Sequence, residues 1–227
     1  MNERLRTSAV IQAGGESRRM GQNKALMEFC GQPLIARVAE RIRPAVDEML
    51  MTTQEPELYA FLGLPMYADI FPGKGALGGL YTALKAARGE RVVVVGCDMP
   101  FVSRAMLTRM LAVMEAEGAD VVIPETEIGL EPLHAVYRRE TCLPAVESAL
   151  AREQRRMIAW FGEVRVRVFG RQEVAAVDPL GWAFLNVNTP EEFAEAQERA
   201  VREDGCSEDT DSGSEKQGKP HKRSGCV

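Results

Sequence analysis

The residues best suited to chemistry lie in one stretch near the start of the chain: Ala13-Gly14-Gly15-Glu16-Ser17-Arg18-Arg19-Met20-Gly21-Gln22-Asn23-Lys24. Two adjacent glycines let a backbone approach a ligand closely and let several N–H groups point the same way. Arg18, Arg19 and Lys24 add positive charge. Backbone donors combined with Arg and Lys suit a polyphosphate. The stretch fits neither familiar phosphate template. Its glycines at 14, 15 and 21 do not make G-x-G-x-x-G, and Gln22 and Asn23 separate Gly21 from Lys24, so the P-loop pattern fails too. That disfavours a dinucleotide oxidoreductase and an ordinary NTPase. The bland alternative is a tight turn with solvated cations. Three cations, a serine and a third glycine in one loop favour the phosphate reading.

Two further sets of residues could share that site. Asp98 follows the apolar run Val92-Val93-Val94-Val95 and precedes Met99-Pro100-Phe101. A carboxylate there suits Mg²⁺, which prefers a few carboxylates together with phosphate oxygens and water. The alternative is a turn or capping aspartate before proline. Alone the two readings are evenly matched; a polyphosphate loop at the same sheet edge favours the metal. Asn186 and Asn188 occupy alternate positions of an expected strand, so they share a face. They could bridge hydroxyls, phosphates or metal-bound water. Thr189 reads better as a helix cap, and Asn188 can simply prepare that turn. Asn186, a polar residue late in an apolar run, needs a partner.

The elements that must position these residues alternate in type. Residues 7–13 read as a buried strand ahead of the glycine-rich loop. Pro33 opens a helix that Pro44 ends. Residues 48–53 are a second strand, and a short helix over 56–62 stops at Gly63. A second glycine cluster, Pro72-Gly73-Lys74-Gly75-Ala76-Leu77-Gly78-Gly79, leads into a helix from Leu80 to Ala87. The run from Arg91 to Cys97 reads as a central parallel strand, buried on both faces. Ser103 caps a helix reaching Glu117. Strands are expected at 119–124, 133–138 (with an antiparallel orientation as an option), 165–169 and 183–188. Helices are expected at 140–152, 154–161 and 190–202. Strands alternating with helices imply an α/β three-layer sandwich on a mostly parallel sheet. Ligands of such sheets bind outside the carboxyl ends of the strands. Residues 1–203 form one domain in this reading. Residues 204–227, rich in Ser, Gly and charge, lack the apolar surface to order and are expected to be disordered.

The chain has 227 residues, 45% hydrophobic and 27% charged, with net charge −5. That supports a sizeable core and disfavours nucleic acid as main partner, since such binders are usually basic. No apolar run is long enough for a membrane span, and the first residues lack a signal-peptide core, so the expected location is cytoplasmic. Five cysteines without C-x-x-C point to neither a disulfide frame nor a zinc site. His134 and His221 are too far apart in sequence to suggest a metal centre.

Against known families, residues 12–24 resemble the nucleotidyltransferase signature L-A-G-G-x-S-x-R-M-G-x-x-K, from which Gln12 is the one departure. Cys97-Asp98-Met99-Pro100-Phe101 resembles the metal motif C-D-M-P-F. Asn186-Val187-Asn188-Thr189-Pro190-Glu191-Glu192 resembles N-V-N-T-P-E-E/D. With Glu131-Pro132-Leu133-His134-Ala135-Val136-Tyr137, the chain from 7 to about 202 is similar to MobA-type molybdenum cofactor guanylyltransferases, which are Rossmann-like. The resemblance implies GTP binding by Gln12, Ala13, Gly14, Gly15, Lys24, Asp69 and Asp98. It implies Mg²⁺ on Asp98, and catalytic roles for Arg19, Lys24 and Asp98. Met51-Thr52-Thr53 stands where the family often has an asparagine, and Ala76 replaces a loop proline. Arg155 and Arg156 resemble a double arginine on the pterin side; exposed helix arginines are the alternative. The implied reaction passes GMP from GTP to molybdopterin and releases pyrophosphate, with molybdoenzymes or their chaperones as further partners. A cytidylyltransferase for the same cofactor, a sugar-1-phosphate nucleotidyltransferase and a non-catalytic molybdopterin adaptor are the competing readings. Gly14-Gly15 instead of A-A-G, and Glu131-Pro132-Leu133 instead of G-x-P, favour guanine.

Overall fold

Ala9, Val10 and Ile11 are fully buried and form the middle of β1 (Thr7–Ala13). The structure, a computed structural model, describes residues 6–14 and 23–204. Gly15, Arg18, Arg19 and the expected tail beyond Asp204 lie outside the described residues. After a 3-10 turn at Lys24–Leu26, a small hairpin of β2 (Glu28–Phe29) and β3 (Gln32–Pro33) leads into α1 (Leu34–Ile42). Then come β4 (Glu48–Thr53), a 3-10 segment at Pro56–Leu62, β5 (Met66–Tyr67), α2 (Gly75–Ala86), β6 (Arg91–Gly96) and α3 (Arg104–Glu117). The remainder is β7 (Val121–Thr126), β8 (Gly129–Leu130), β9 (His134–Arg138), α4 (Arg139–Ala151), β10 (Val166–Phe169), α5 (Arg171–Val177) and α6 (Pro190–Asp204).

The main sheet has the order β10-β7-β9-β6-β1-β4-β5, with β8 paired to β7. β1 runs parallel to both β4 and β6, β4 to β5, and β7 to β10. β9 is antiparallel to both its neighbours. Val92 to Val95 are fully buried, as a strand covered on both faces requires. One face carries Ile11, Met51, Val93 and Val95 against α1 and α3. The other carries Val10, Leu50, Val92 and Val94 against α2 and α4. The α/β three-layer sandwich and the mostly parallel sheet are therefore as expected. No helix among the described residues is long and apolar enough to cross a membrane.

Four local expectations are corrected. α2 begins at Gly75, not Leu80, so Gly78 and Gly79 sit inside the helix. They are there for contact: a Cβ on Gly78 would lie 2.9 Å from the Phe71 carbonyl oxygen, and one on Gly79 would lie 2.1 Å from Gln12 Nε2. Residues 183–188 are not a strand. Trp182–Phe184 make a 3-10 turn, and the Val187 N–H donates to the Asp98 carbonyl at 3.1 Å, so the segment crosses the end of β6. Residues 154–161 form turns instead of a helix. Glu153, at φ 60°, closes α4, and Trp160 Nε1 donates to the Met157 carbonyl at 2.8 Å. α5 was not anticipated; Glu173 accepts from the Gly170 N–H at 2.9 Å and so caps its start.

His134 opens β9 opposite Val95, fully buried, its ring 5.0 Å from that of Phe184. Burial pushes its imidazole down from 6.5 to about 4. Between those values the unfolded chain binds more protons than the folded one, so stability falls as pH falls. From pH 7 to pH 5 the wild type should lose about 2 kcal/mol more than His134→Leu. Urea unfolding of both proteins at the two pH values checks this.

Candidate functional site

The parallel register sets Gln12 beside Gly96, and the Cys97 N–H donates to the Gln12 carbonyl at 3.3 Å. The loop after β1 and the turn after β6 therefore leave the sheet side by side. Gly96 matters by having no side chain: a Cβ there would fall 2.8 Å from Asp98 Oδ1. The carboxylate can thus fold back against the end of its own strand. Burial raises the pKa of Asp98, and the nearby Lys24 charge offsets part of that rise. Cys97, next to it, is pushed up to about 12 by burial and stays a thiol.

Lys24 is held from two sides. Its Nζ donates to Asn188 Oδ1 at 2.8 Å. Asn188 is itself fixed at the start of α6. Glu192 Oε2 accepts from the Asn188 and Thr189 N–H groups at 2.6 and 3.0 Å, and Thr189 Oγ1 accepts from the Glu192 N–H at 3.1 Å. This reciprocal cap bears out Thr189 as a helix cap and brings Asn188 into the site. On the other side, Asn23 Oδ1 accepts from the Ala25 N–H at 3.2 Å while Asn23 Nδ2 donates to the Tyr59 hydroxyl at 2.8 Å. Tyr59 is 4% exposed, so Asn23 ties the residue before Lys24 to the core.

The structure thus brings Gln12, Ala13, Gly14, Lys24, Asp98 and Asn188 to one edge. Asn186 lies in the same crossing segment, half-buried, with no bond to Lys24 or Asp98 among the described residues. Its expected shared face with Asn188 falls with the strand. Asp69 stands apart, beyond β5. Its pKa is raised by burial and lowered in part by a hydrogen bond with Gln54. Gln54 was missed from the sequence, although its place immediately after the run 48–53 marks the carboxyl end of a strand. Glu131 was seen only as part of a motif. It is half-buried with a raised pKa, and Thr126 Oγ1 donates to its Oε1 at 3.0 Å. Among the described residues no group of three or more His, Cys, Asp or Glu could hold a metal.

Residues 9–168 match the model of the MobA-like NTP transferase domain. The chain belongs to that family. It is 36% identical over 193 residues to a Pelotomaculum thermopropionicum protein named "Probable molybdenum cofactor guanylyltransferase", covering 85% of this chain and 93% of that one. It is 35% identical over 191 residues to the molybdenum cofactor guanylyltransferase of Desulfosudis oleivorans, covering 84% and 94%. Its fold superposes with a TM-score of 0.75 on molybdopterin-guanine dinucleotide biosynthesis protein A from Archaeoglobus fulgidus, at 26% identity, covering 86% of this chain and 99% of that one. The MobA-like assignment makes the chain a nucleotidyltransferase.

The Asn23 strut predicts an order of stabilities within this MobA-like domain. Tyr59→Phe removes one hydrogen bond and should cost about 1 kcal/mol. Asn23→Ala loses that bond and the cap on Ala25, and should cost about 2 kcal/mol. Denaturant midpoints of the three proteins decide it; equal losses would show that only one bond carries weight.

Proposed function

We propose that the chain transfers GMP from GTP to the terminal phosphate of molybdopterin, forming a guanine dinucleotide cofactor and pyrophosphate. The observation that carries this is Lys24, held on Asn188 beside a half-buried Asp98 at the joined ends of β1 and β6, in a MobA-like chain. The acceptor phosphate oxygen forms a bond to the α-phosphorus, and the bond from that phosphorus to the bridging oxygen breaks. A phosphate monoester loses its second proton near pH 6, so its oxygen is ready at neutral pH and no general base is needed. The protein's tasks are alignment and charge neutralisation. Lys24 meets the triphosphate, together with the backbone of Gln12, Ala13, Gly14 and Gly15 and with Arg19. Asp69 with Gln54 faces the nucleoside, and Arg155 and Arg156 the pterin.

The residues present fit Mg²⁺. Asp98 is a half-buried carboxylate with room made for it by Gly96, close to Lys24, and the Asn188 amide oxygen accepts from that lysine. Hard cations favour such an oxygen set completed by phosphate and water. When bound, the ion supplies charge neutralisation to the phosphoryl oxygens. Asp98 would hold it, with Asn188 beside it, while Lys24 orients the phosphates.

Pyrophosphate release with molybdopterin, measured across the four ribonucleoside triphosphates, tests the reading. GTP should be turned over fastest; CTP ahead of GTP would show a cytidylyltransferase, and nucleotide binding without turnover an adaptor. Asp98→Asn and Lys24→Met should each lower the rate about 10²-fold or more. Because burial makes an ionised Asp98 costly, Asp98→Asn should be at least as stable as wild type at pH 7. Full Mg²⁺-dependent activity in that variant would sink the metal assignment.

A further inference from the structure

Gln12 has an unusual setting for a residue at the end of a central strand. It is 5% exposed and points, with Val10, to the face covered by α2. Its Nε2 donates to the Ala76 carbonyl at 3.0 Å, in the first turn of α2. Its Oε1 is buried with no hydrogen-bond partner among the described residues, and the same holds for Thr52 Oγ1. Thr52 is its register partner on β4. Gly79 of α2 lies directly over the amide, and a Cβ there would stand 2.1 Å from Nε2 and 2.7 Å from Cδ. A long amide at 12 and a bare backbone at 79 are thus fitted to each other. Leaving two polar atoms unsatisfied in a core is costly, and such groups call for a functional reason.

We propose that Gln12 is a positioning residue for nucleobase selection: it clips the first turn of α2 to the ends of β1 and β4. This rests on the function proposed above. Lys24 and Asp98 occupy the β1–β6 side of the edge, so a nucleotide whose phosphates sit there must lay its nucleoside along another wall. The part of the edge toward β4 holds Gln54, Asp69 and the first turn of α2, with Thr52 buried beneath them. A base read by hydrogen bonds is discriminated only if the wall stays put, and the clip is what fixes it.

Two variants remove the clip by different routes. Gln12→Met keeps the volume and loses the donor. Gly79→Ala keeps the donor and drives it off Ala76. Calorimetric binding of GTP and CTP should show the GTP preference falling about three- to tenfold in each. Turnover should show the loss on KM more than on kcat. The double variant should be no worse than either single one, because both break the same contact. Hydrogen exchange at the first turn of α2 should quicken in all three while global unfolding midpoints stay close. Variants that retain the wild-type preference, or that add fully, would overturn the inference alone. A wild type that binds no triphosphate would overturn the proposed function and the inference with it.

Discussion

The candidate site depends on a half-buried carboxylate placed beside a lysine. Asp98 is half-buried where β6 ends; burial raises its pKa, and the Lys24 charge offsets that only in part. A buried carboxylate is tolerable only with a cation close by and its backbone firmly placed. The parallel pairing of β1 with β6 meets the first need, because it sets the end of β1 beside the end of β6, where the Lys24 charge acts on Asp98. Gly96 and the Val187 N–H on the Asp98 carbonyl meet the second. The architecture of the sheet and the chemistry of its edge are in this sense one arrangement.

A small satellite core joins the three contributors. Phe29 from the hairpin after β1, Phe101 from the turn after β6 and Phe193 from α6 pack together, with Phe29 edge-on to both other rings. Arg37 is buried among them, donates to the Pro100 carbonyl at 2.9 Å and lies over the rings of Phe29 and Phe101. Its planar, weakly hydrated guanidinium suits that slot as a lysine would not. Through this cluster the C-terminal helix, far away in sequence, sets the position of Asn188 and hence of Lys24.

Features that depend on local chemistry were legible in the sequence. The β6 run could only be a doubly covered strand, and Ser103 and Thr189 announced their helices because a hydroxyl before a helical run has few other uses. Features that depend on tertiary approach were not. Glycine reads as a breaker, so α2 was started too late; its Gly78 and Gly79 are bare because Phe71 and Gln12 come close, which no window of α2 itself records. The alternation at 183–188 mimics a strand, but sheet membership is decided by a free neighbour. The end of β6 offers one carbonyl and no ladder. Gln12 showed itself only as a departure from a motif, and Gln54 carried no signal beyond its position.

The charge pattern carries the argument one step further. The chain is acidic overall, yet its site is built for a polyanion. Asp98 follows β6 and Asp69 lies beyond β5, and burial raises the pKa of both. Two desolvated carboxylates would repel a bare triphosphate, so recognition cannot be a matter of net field. On the proposed reading it depends on cations held at one fixed place: Lys24 and, beside it, a divalent ion on Asp98. A polyanion lacking the spacing to meet both cations would gain little and still face the carboxylates. On that reading, selectivity for a nucleoside triphosphate over other anions draws on repulsion as well as attraction, which is how specific sites commonly exclude the wrong partner.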